Sequence, residues 1–396
     1  MSPDQDSLTR ISDIPRHWAA HAPGHAAVFE DGRTTTYAQL WAGIEDAQRY
    51  LQSQGVGTGD RVLVVAENCL AVITLVFALS ELGAWPVVAN ARLTEREIEV
   101  MRDHCRPRLM LFTHAASPDA LRHGVRYRAR EIAPAGLGPL MAGAIDASAG
   151  REPEALAREV AALIYTSGTT AQPKGVMVTH RGLLHFAGVT VASRRMQPED
   201  CAYAVMPMSH VFGLGTLLVS TLHAGASLYL CARFNAADLA AAIRDGAITL
   251  LQGVPAMFSR ILAHARATGT ALQPSPRLRY LYTGGGPLDA TLKRDVEAAF
   301  GQPLHHGYGM TEYAGLDVRD AHGPAARRLR RGRDRRGGGP SGGRVRRQAG
   351  AAGAARRTLD PRARRDARLL PRAGTDRRCA APRRLAQHRR YRPAGP

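Results

Sequence analysis

The chain has 396 residues, 45% of them hydrophobic and 22% charged, enough to bury a large core and to form two or three domains. A formal net charge of +19 would point to a nucleic acid or an anionic membrane if it were spread evenly. It is not: residues 317–396 hold 25 of the 53 basic and 6 of the 34 acidic residues, which leaves 28 of each in a neutral body, 1–316.

The five cysteines (Cys69, Cys105, Cys201, Cys231, Cys379) are scattered without a C-x-x-C pair, so neither a disulfide framework nor a zinc site is indicated. The opening MSPDQDSLTR lacks the basic and apolar regions of a signal peptide, and no run of 18 apolar residues occurs. A soluble cytoplasmic protein without a membrane span is the expectation.

In chain order, 27–30 reads as a short strand, and 36–54 as a helix with Tyr37, Leu40, Ile44, Ala47 and Leu51 on one face. The apolar RVLVVA at 61–66 is a strand, and 69–82 a helix that stops at Gly83. A strand at 85–88, a helix at 94–103 capped by Thr94, and a strand at 109–112 follow. Residues 115–159 give no readable unit apart from loops. Strands resume at 161–165, 202–206, 227–230, 249–253 and 280–283. This alternation predicts an α/β fold with doubly wound sheets and helices on both faces.

Strand 161–165 runs into Thr166-Ser-Gly-Thr-Thr-Ala-Gln-Pro-Lys174-Gly175. Placed between a strand and a helix, such a loop can wrap backbone N–H groups and hydroxyls around phosphate oxygens, with Lys174 offsetting their charge. It is not a Walker A loop, because no G-K-[ST] closes it. An ordinary solvated turn is the other reading of a Ser/Thr/Gly loop.

The full string LIYTSGTTAQPKGVMVTH, Leu163 to His180, resembles the signature loop of the adenylate-forming superfamily: acyl-CoA synthetases, aryl-CoA ligases, luciferases and peptide-synthetase adenylation domains. Three further segments resemble that family's motifs in its order. MPMSHVFGLG (Met206–Gly215) is similar to the segment whose His abuts the acyl pocket. YTGGGPLD (Tyr282–Asp289) is similar to the glycine turn facing adenine and acyl group, and HGYGMTE (His306–Glu312) to the motif holding adenine, α-phosphate and magnesium. Ala171 departs from the pattern, where the family most often has Gly; at a positive φ its Cβ would cost about 1 kcal/mol.

The resemblance implies the large N-terminal domain of the adenylate-forming fold over 1–316, incomplete, with ATP, Mg²⁺ and coenzyme A as cofactor and co-substrates. For ATP it implies Thr166, Ser167, Gly168, Thr169, Thr170, Lys174, Gly284, Gly285, Gly286, His306, Gly307, Tyr308, Gly309 and Thr311. Catalytic roles fall to Lys174, Thr311 and Glu312, with Glu312 also the magnesium ligand, a hard oxygen suited to that ion. Substrate contacts fall to His210, Phe212, Gly213, Gly286 and Gly309. Each has a plainer reading: Tyr308 as a core tyrosine, His210 as a satisfied interior histidine, the three glycines as an ordinary loop, Lys174 as a surface lysine. The implied chemistry is activation of a carboxylic acid to an acyl-adenylate, then transfer to a thiol. Apolar neighbours of His210 (Val211, Phe212, Leu214, Leu217, Leu218) favour a fatty or aryl acid.

Past Leu316 the pattern stops. Residues 317–396 contain no Ile, Met, Phe, Trp, Asn, Lys or Glu, too few large apolar groups for a core, and are expected to be disordered as written. The family continues through a T-G-D ribose motif, a hinge and a small domain with a catalytic lysine; here no lysine follows Lys293. One allowed coding of RRLAQHRRYRPAG (383–395), shifted by one base, reads Gly-Gly-Trp-Leu-Asn-Thr-Gly-Asp-Ile-Gly-Arg-Leu, which contains T-G-D. RTLDPRARRDARLL (357–370) similarly permits a reading that resembles the segment just upstream. A one-base shift between about 315 and 327 is therefore the expectation. Two alternatives stand beside the ligase: a catalytically dead nucleotide- or acyl-binding remnant, and a nucleic-acid binder acting through GRDRRGGGPSGGRVRR. No nucleic-acid partner is expected on the first reading, and the oligomeric state stays open.

Overall fold

A computed structural model describes residues 8–166, 174–273, 275, 277–313, 315–317 and 368–369. Helix α1 (Asp13–His21) leads into β1 (Ala26–Glu30), β2 (Arg33–Thr36) and α2 (Tyr37–Ser53). The buried stripe of α2 is Tyr37, Leu40, Ile44, Ala47 and Leu51, the face predicted from spacing, and Thr36 with Gln39 forms a capping box at its start. Strand β3 (Arg61–Ala66) precedes α3 (Leu70–Leu82), which ends on Gly83 in the left-handed conformation (φ 66°). Then come β4 (Trp85–Asn90), α4 (Glu95–Cys105), capped by Thr94 and Glu97, and β5 (Leu109–Phe112).

Residues 115–159, expected to be loops only, instead fold into α5 (Pro118–Arg126), β6 (Arg130–Ile132), β7 (Leu140–Ala142) and α6 (Glu154–Glu159). These elements are short, and both strands have only three residues, so hydrophobic periodicity has too few positions to register; packing on β5 decides them.

Next are β8 (Val160–Thr166), β9 (Lys174–Thr179) and α7 (His180–Arg194). The expected phosphate loop therefore joins two antiparallel strands, with Thr166 opposite Lys174, and not a strand and a helix. The expected helix begins only at His180, because Val176–Thr179, with the β-branched Val176, Val178 and Thr179, pairs with β8. The chain continues through β10 (Cys201–Ala204), a π-helix (Phe212–Val219), α8 (Ser220–His223), β11 (Ser227–Leu230), α9 (Ala236–Arg244), β12 (Leu250–Gly253) and α10 (Pro255–Thr268). It ends with β13 (Tyr280–Thr283), α11 (Ala290–Phe300), β14 (Leu304–His306), β15 (Tyr308–Met310), a 3-10 turn (Thr311–Tyr313), β16 (Gly315–Asp317) and β17 (Arg368–Leu369).

Seven strands form the main sheet in the order β14-β13-β12-β10-β11-β1-β2, parallel except for the β2 edge. The second sheet runs β4-β3-β5-β7-β6, its first three strands parallel. The doubly wound α/β expectation holds for both. Helix α3 is apolar all round because it lies in the core shared by β1, β3 and β11. Burying each of its Leu, Ile, Val and Phe side chains is worth roughly 1.5–3 kcal/mol. A third sheet, β17-β9-β8, receives Arg368–Leu369 against Val176 and Met177. The expectation of disorder in 317–396 otherwise concerns positions outside the described residues. Among the described residues no helix is long and apolar enough to cross a membrane.

Candidate active site

In an open parallel sheet, the loops leaving the C-terminal strand ends converge in one crevice. Here those loops are 205–211 after β10, Val254 after β12, 284–289 after β13 and Gly307 after β14. A cavity of about 440 Å³ opens there, lined by Met206, Pro207, Ser209, His210, Phe212, Val254 and Gly285 on one side. Val88, Asn90, Leu93, Met101 and Tyr165 close the other.

His210 faces this cavity. Its Nδ1 accepts a hydrogen bond from the Phe212 N–H (3.1 Å), which assigns the proton of the neutral ring to Nε2. Loss of water around the ring lowers its pKa from the usual value, so the neutral form is favoured. Phe212 opens the π-helix, an uncommon wide turn often found at functional sites. A Cβ on Gly213 would lie 2.1 Å from the Pro207 carbonyl oxygen, so this glycine lets the π-helix press on the His210 loop. Gly213 itself does not line the cavity.

Gly284 N–H donates to the Gly253 carbonyl, extending the β12–β13 ladder by one residue. Gly285 takes φ +75°, the left-handed region, and meets Val254 and Phe212 at the cavity wall. Gly286 lies beside Pro255, and its carbonyl is 3.3 Å from His306 Nε2, which ties the glycine turn to the third motif. Gly307 must be glycine because the Tyr282 hydroxyl occupies the space of a Cβ.

Tyr308 is 71% exposed, which rules out the core-tyrosine reading and leaves a flat face open to a base. It shares β15 with Gly309, and that strand pairs with β16. Thr311 is buried and Glu312 half-buried in the 3-10 turn, which packs on β9, the strand that starts with Lys174. Thr166 and Lys174 thus bracket the hairpin mouth, while Ser167, Gly168, Thr169, Thr170 and Ala171 lie outside the described residues. No group of three His, Cys, Asp or Glu side chains converges as a metal site among the described residues. One carboxylate, Glu312, suits Mg²⁺ carried in with phosphates, since that ion keeps waters and phosphate oxygens as most of its ligands.

Two contributors had no sequence signal. Asn68, just after β3, donates from Nδ2 to the Ala204 and Met206 carbonyls (3.2 and 3.0 Å) and accepts the Met208 N–H at Oδ1 (3.0 Å). It thereby brackets the loop that carries His210. His104 Nδ1 lies 2.6 Å from the Tyr165 hydroxyl, anchoring the cavity-lining residue that precedes the phosphate loop.

Residues 15–336 match the sequence profile of the AMP-binding enzyme, beyond the Leu316 boundary inferred from composition. The chain belongs to the AMP-binding enzyme family. It is 31% identical over 339 residues to 4-coumarate--CoA ligase 2 of Oryza sativa subsp. japonica, covering 76% of this chain and 58% of that protein. It is 31% identical over 311 residues to a feruloyl-CoA synthase of Amycolatopsis sp, covering 77% and 60%. The chain thus spans about three-fifths of the length of these curated relatives. The fold is that of the N-terminal domain of FACL13 from Mycobacterium tuberculosis, solved with an inhibitor bound, with a TM-score of 0.65, 24% identity and coverage of 79% of this chain and 80% of that one. Described residues from three of the motif segments line the one cavity (Tyr165; Met206, His210 and Phe212; Gly285), and the fourth segment adjoins the third through His306 and the Gly286 carbonyl.

Proposed function

We propose that this chain carries the acid-activating half of an ATP-dependent, cytoplasmic acid–thiol ligase that uses coenzyme A as acceptor. A carboxylate oxygen attacks the α-phosphorus of ATP, the bond to pyrophosphate breaks, and an acyl-adenylate results; a thiolate then displaces AMP. The observation that carries this reading is the apolar cavity ending on His210 and Gly285, beside a glycine turn tied through His306 to the exposed Tyr308. Tyr308 offers a stacking face to adenine. Thr311 and Lys174 supply donors to phosphate oxygens, and the neutral His210 supplies Nε2–H beside the acyl group. Mg²⁺ held at Glu312 would neutralise phosphate charge. An aryl acid is favoured over a fatty one by the coumarate and ferulate named for the two relatives.

ATP–pyrophosphate exchange with a panel of aryl and fatty acids tests this. Acid-dependent exchange that peaks with aryl acids is expected, and none with any acid overturns it. A second reading is binding of nucleotide and acid without turnover, which ATP binding without exchange identifies. We also propose that the boundary near residue 316 marks a one-base shift of reading frame. The gene's nucleotide sequence tests it: an alternative frame encoding no T-G-D segment removes the idea.

A further inference from the structure

Tyr165 belongs to two parts of the candidate site at once. Its side chain lines the cavity opposite His210, and its backbone directly precedes Thr166, which pairs with Lys174 at the hairpin mouth. The described β8–β9 ladder ends at that pair. A ladder end frays unless a side chain anchors it.

The anchor comes from α4. That helix starts at the Thr94–Glu97 capping box and buries Ile98, Met101 and Cys105 in one apolar cluster with Val160, Leu163 and Met177 of the hairpin. From its last turn His104 reaches Tyr165. Its Nδ1 lies 2.6 Å from the hydroxyl, and the two rings meet edge to face, with centroids 5.6 Å apart. The same hydroxyl lies 3.4 Å from the Met101 carbonyl oxygen, and the Cys105 thiol faces it. Across the hairpin Tyr165 pairs with Gly175, where a Cβ would sit 3.5 Å from the Tyr165 Cζ, so the ring lies over the glycine.

This junction does not depend on which nitrogen of His104 carries the proton. A bare Nδ1 accepts the hydroxyl proton; a protonated Nδ1 donates to the hydroxyl oxygen, which then donates to the Met101 carbonyl. Burial raises the pKa of the phenol well above its ordinary value, so the hydroxyl keeps its proton. His104 does not itself line the cavity. We propose that His104 is a positioning residue for acid activation: through Tyr165 it holds the cavity wall and the phosphate hairpin in one fixed relation. An attacking carboxylate and the α-phosphorus must meet within a fraction of an ångström of the reactive geometry, and a wall fixed beforehand lowers the cost of ordering them. The inference rests on the proposed ligase function and adds to it a residue that lies outside all four motifs.

The test is calorimetric titration of the full chain with cinnamate and, separately, with Mg²⁺ and α,β-methylene-ATP, whose α–β bridge resists cleavage. Tyr165→Phe removes the hydroxyl and keeps the ring. It is expected to weaken both ligands about threefold to tenfold, the range of one net hydrogen bond. His104→Leu should do the same, and the double variant should lose no more than either single one, because each breaks the same interaction. His104→Asn, whose amide takes the place of Nδ1, should stay within about twofold of the wild type. An unchanged affinity for either ligand in Tyr165→Phe overturns the inference and leaves the ligase reading standing. So do losses that add in the double variant, or a His104→Asn loss as large as that of His104→Leu. Binding of neither ligand by the wild-type chain overturns both. If His104→Leu does not fold, Tyr165→Phe decides alone.

Discussion

The side chain of Asn68 takes hold of the backbone on both sides of Pro207, donating to the Met206 carbonyl and accepting the Met208 N–H, each at 3.0 Å. Neither carbonyl nor N–H could go unpaired at this depth without cost, so the loop bearing His210 is fixed to the second sheet through one residue. Asn68→Ala is expected to lower stability by about 1–3 kcal/mol, the penalty for orphaned buried groups, and to weaken acid binding more than ATP binding. Urea unfolding with parallel acid and ATP titrations measures this; an unchanged midpoint together with unchanged acid affinity would refute the bracing role.

Two glycines of the candidate site should respond differently. At Gly213 a methyl would meet the Pro207 carbonyl oxygen at 2.1 Å, and Gly213→Ala should cost about 1–3 kcal/mol through overpacking. At Gly286 the nearest atom to an added methyl would be Pro255 Cδ at 3.7 Å, so Gly286→Ala should leave stability nearly unchanged and act on ligand binding alone. Thermal unfolding of the two variants side by side separates packing from binding; equal losses contradict the assignment.

Tyr308 makes no core contribution, being 71% exposed. Tyr308→Ala should therefore leave the melting temperature unchanged while weakening ATP binding by about 1–3 kcal/mol, the usual worth of base–aromatic stacking. Tyr308→Phe should keep most of the affinity. Full ATP affinity in the alanine variant would remove Tyr308 from the nucleotide site.

Acid sensitivity follows from two interior histidines outside the cavity. His180 accepts the Ile11 N–H at Nδ1; burial, with Arg10 nearby, lowers its pKa to about 3, against the opposing effect of Asp13. His223 is lowered to about 4 by burial and by His17. Both folded values lie below the ordinary 6.5, so the unfolded chain binds protons first as pH falls. Stability should be constant with respect to these groups above pH 7. It should fall below 6.5 by about 1.4 kcal/mol per pH unit for each histidine, down to about pH 4 for His223 and about pH 3 for His180. Urea midpoints between pH 8 and 5 report the slope, and His180→Asn should reduce it; a flat profile would contradict the buried neutral state.

Much of this protein was legible in one dimension. The α2 stripe, the Thr94 cap, the Gly83 stop and the strands β1, β3, β4, β5, β10, β11, β12 and β13 follow from side-chain period and local backbone preference, which act over a few residues. The four motifs were legible for a related reason: close approach of backbone to nucleotide demands glycines and hydroxyls in a fixed local order. What depended on contacts between distant segments was not. The elements within 115–159 exist because β5 offers them an edge, and the strand after the phosphate loop because β8 pairs with it. Asn68 reaches Met208 across 140 positions, and Arg194 reaches Gln252 across 58, separations at which no sequence pattern operates. Sequence alone determined the fold class and the chemistry its motifs imply. Tertiary packing decided which side chains brace the cavity and which polar groups are buried behind it, because burial and pairing are properties of neighbours in space.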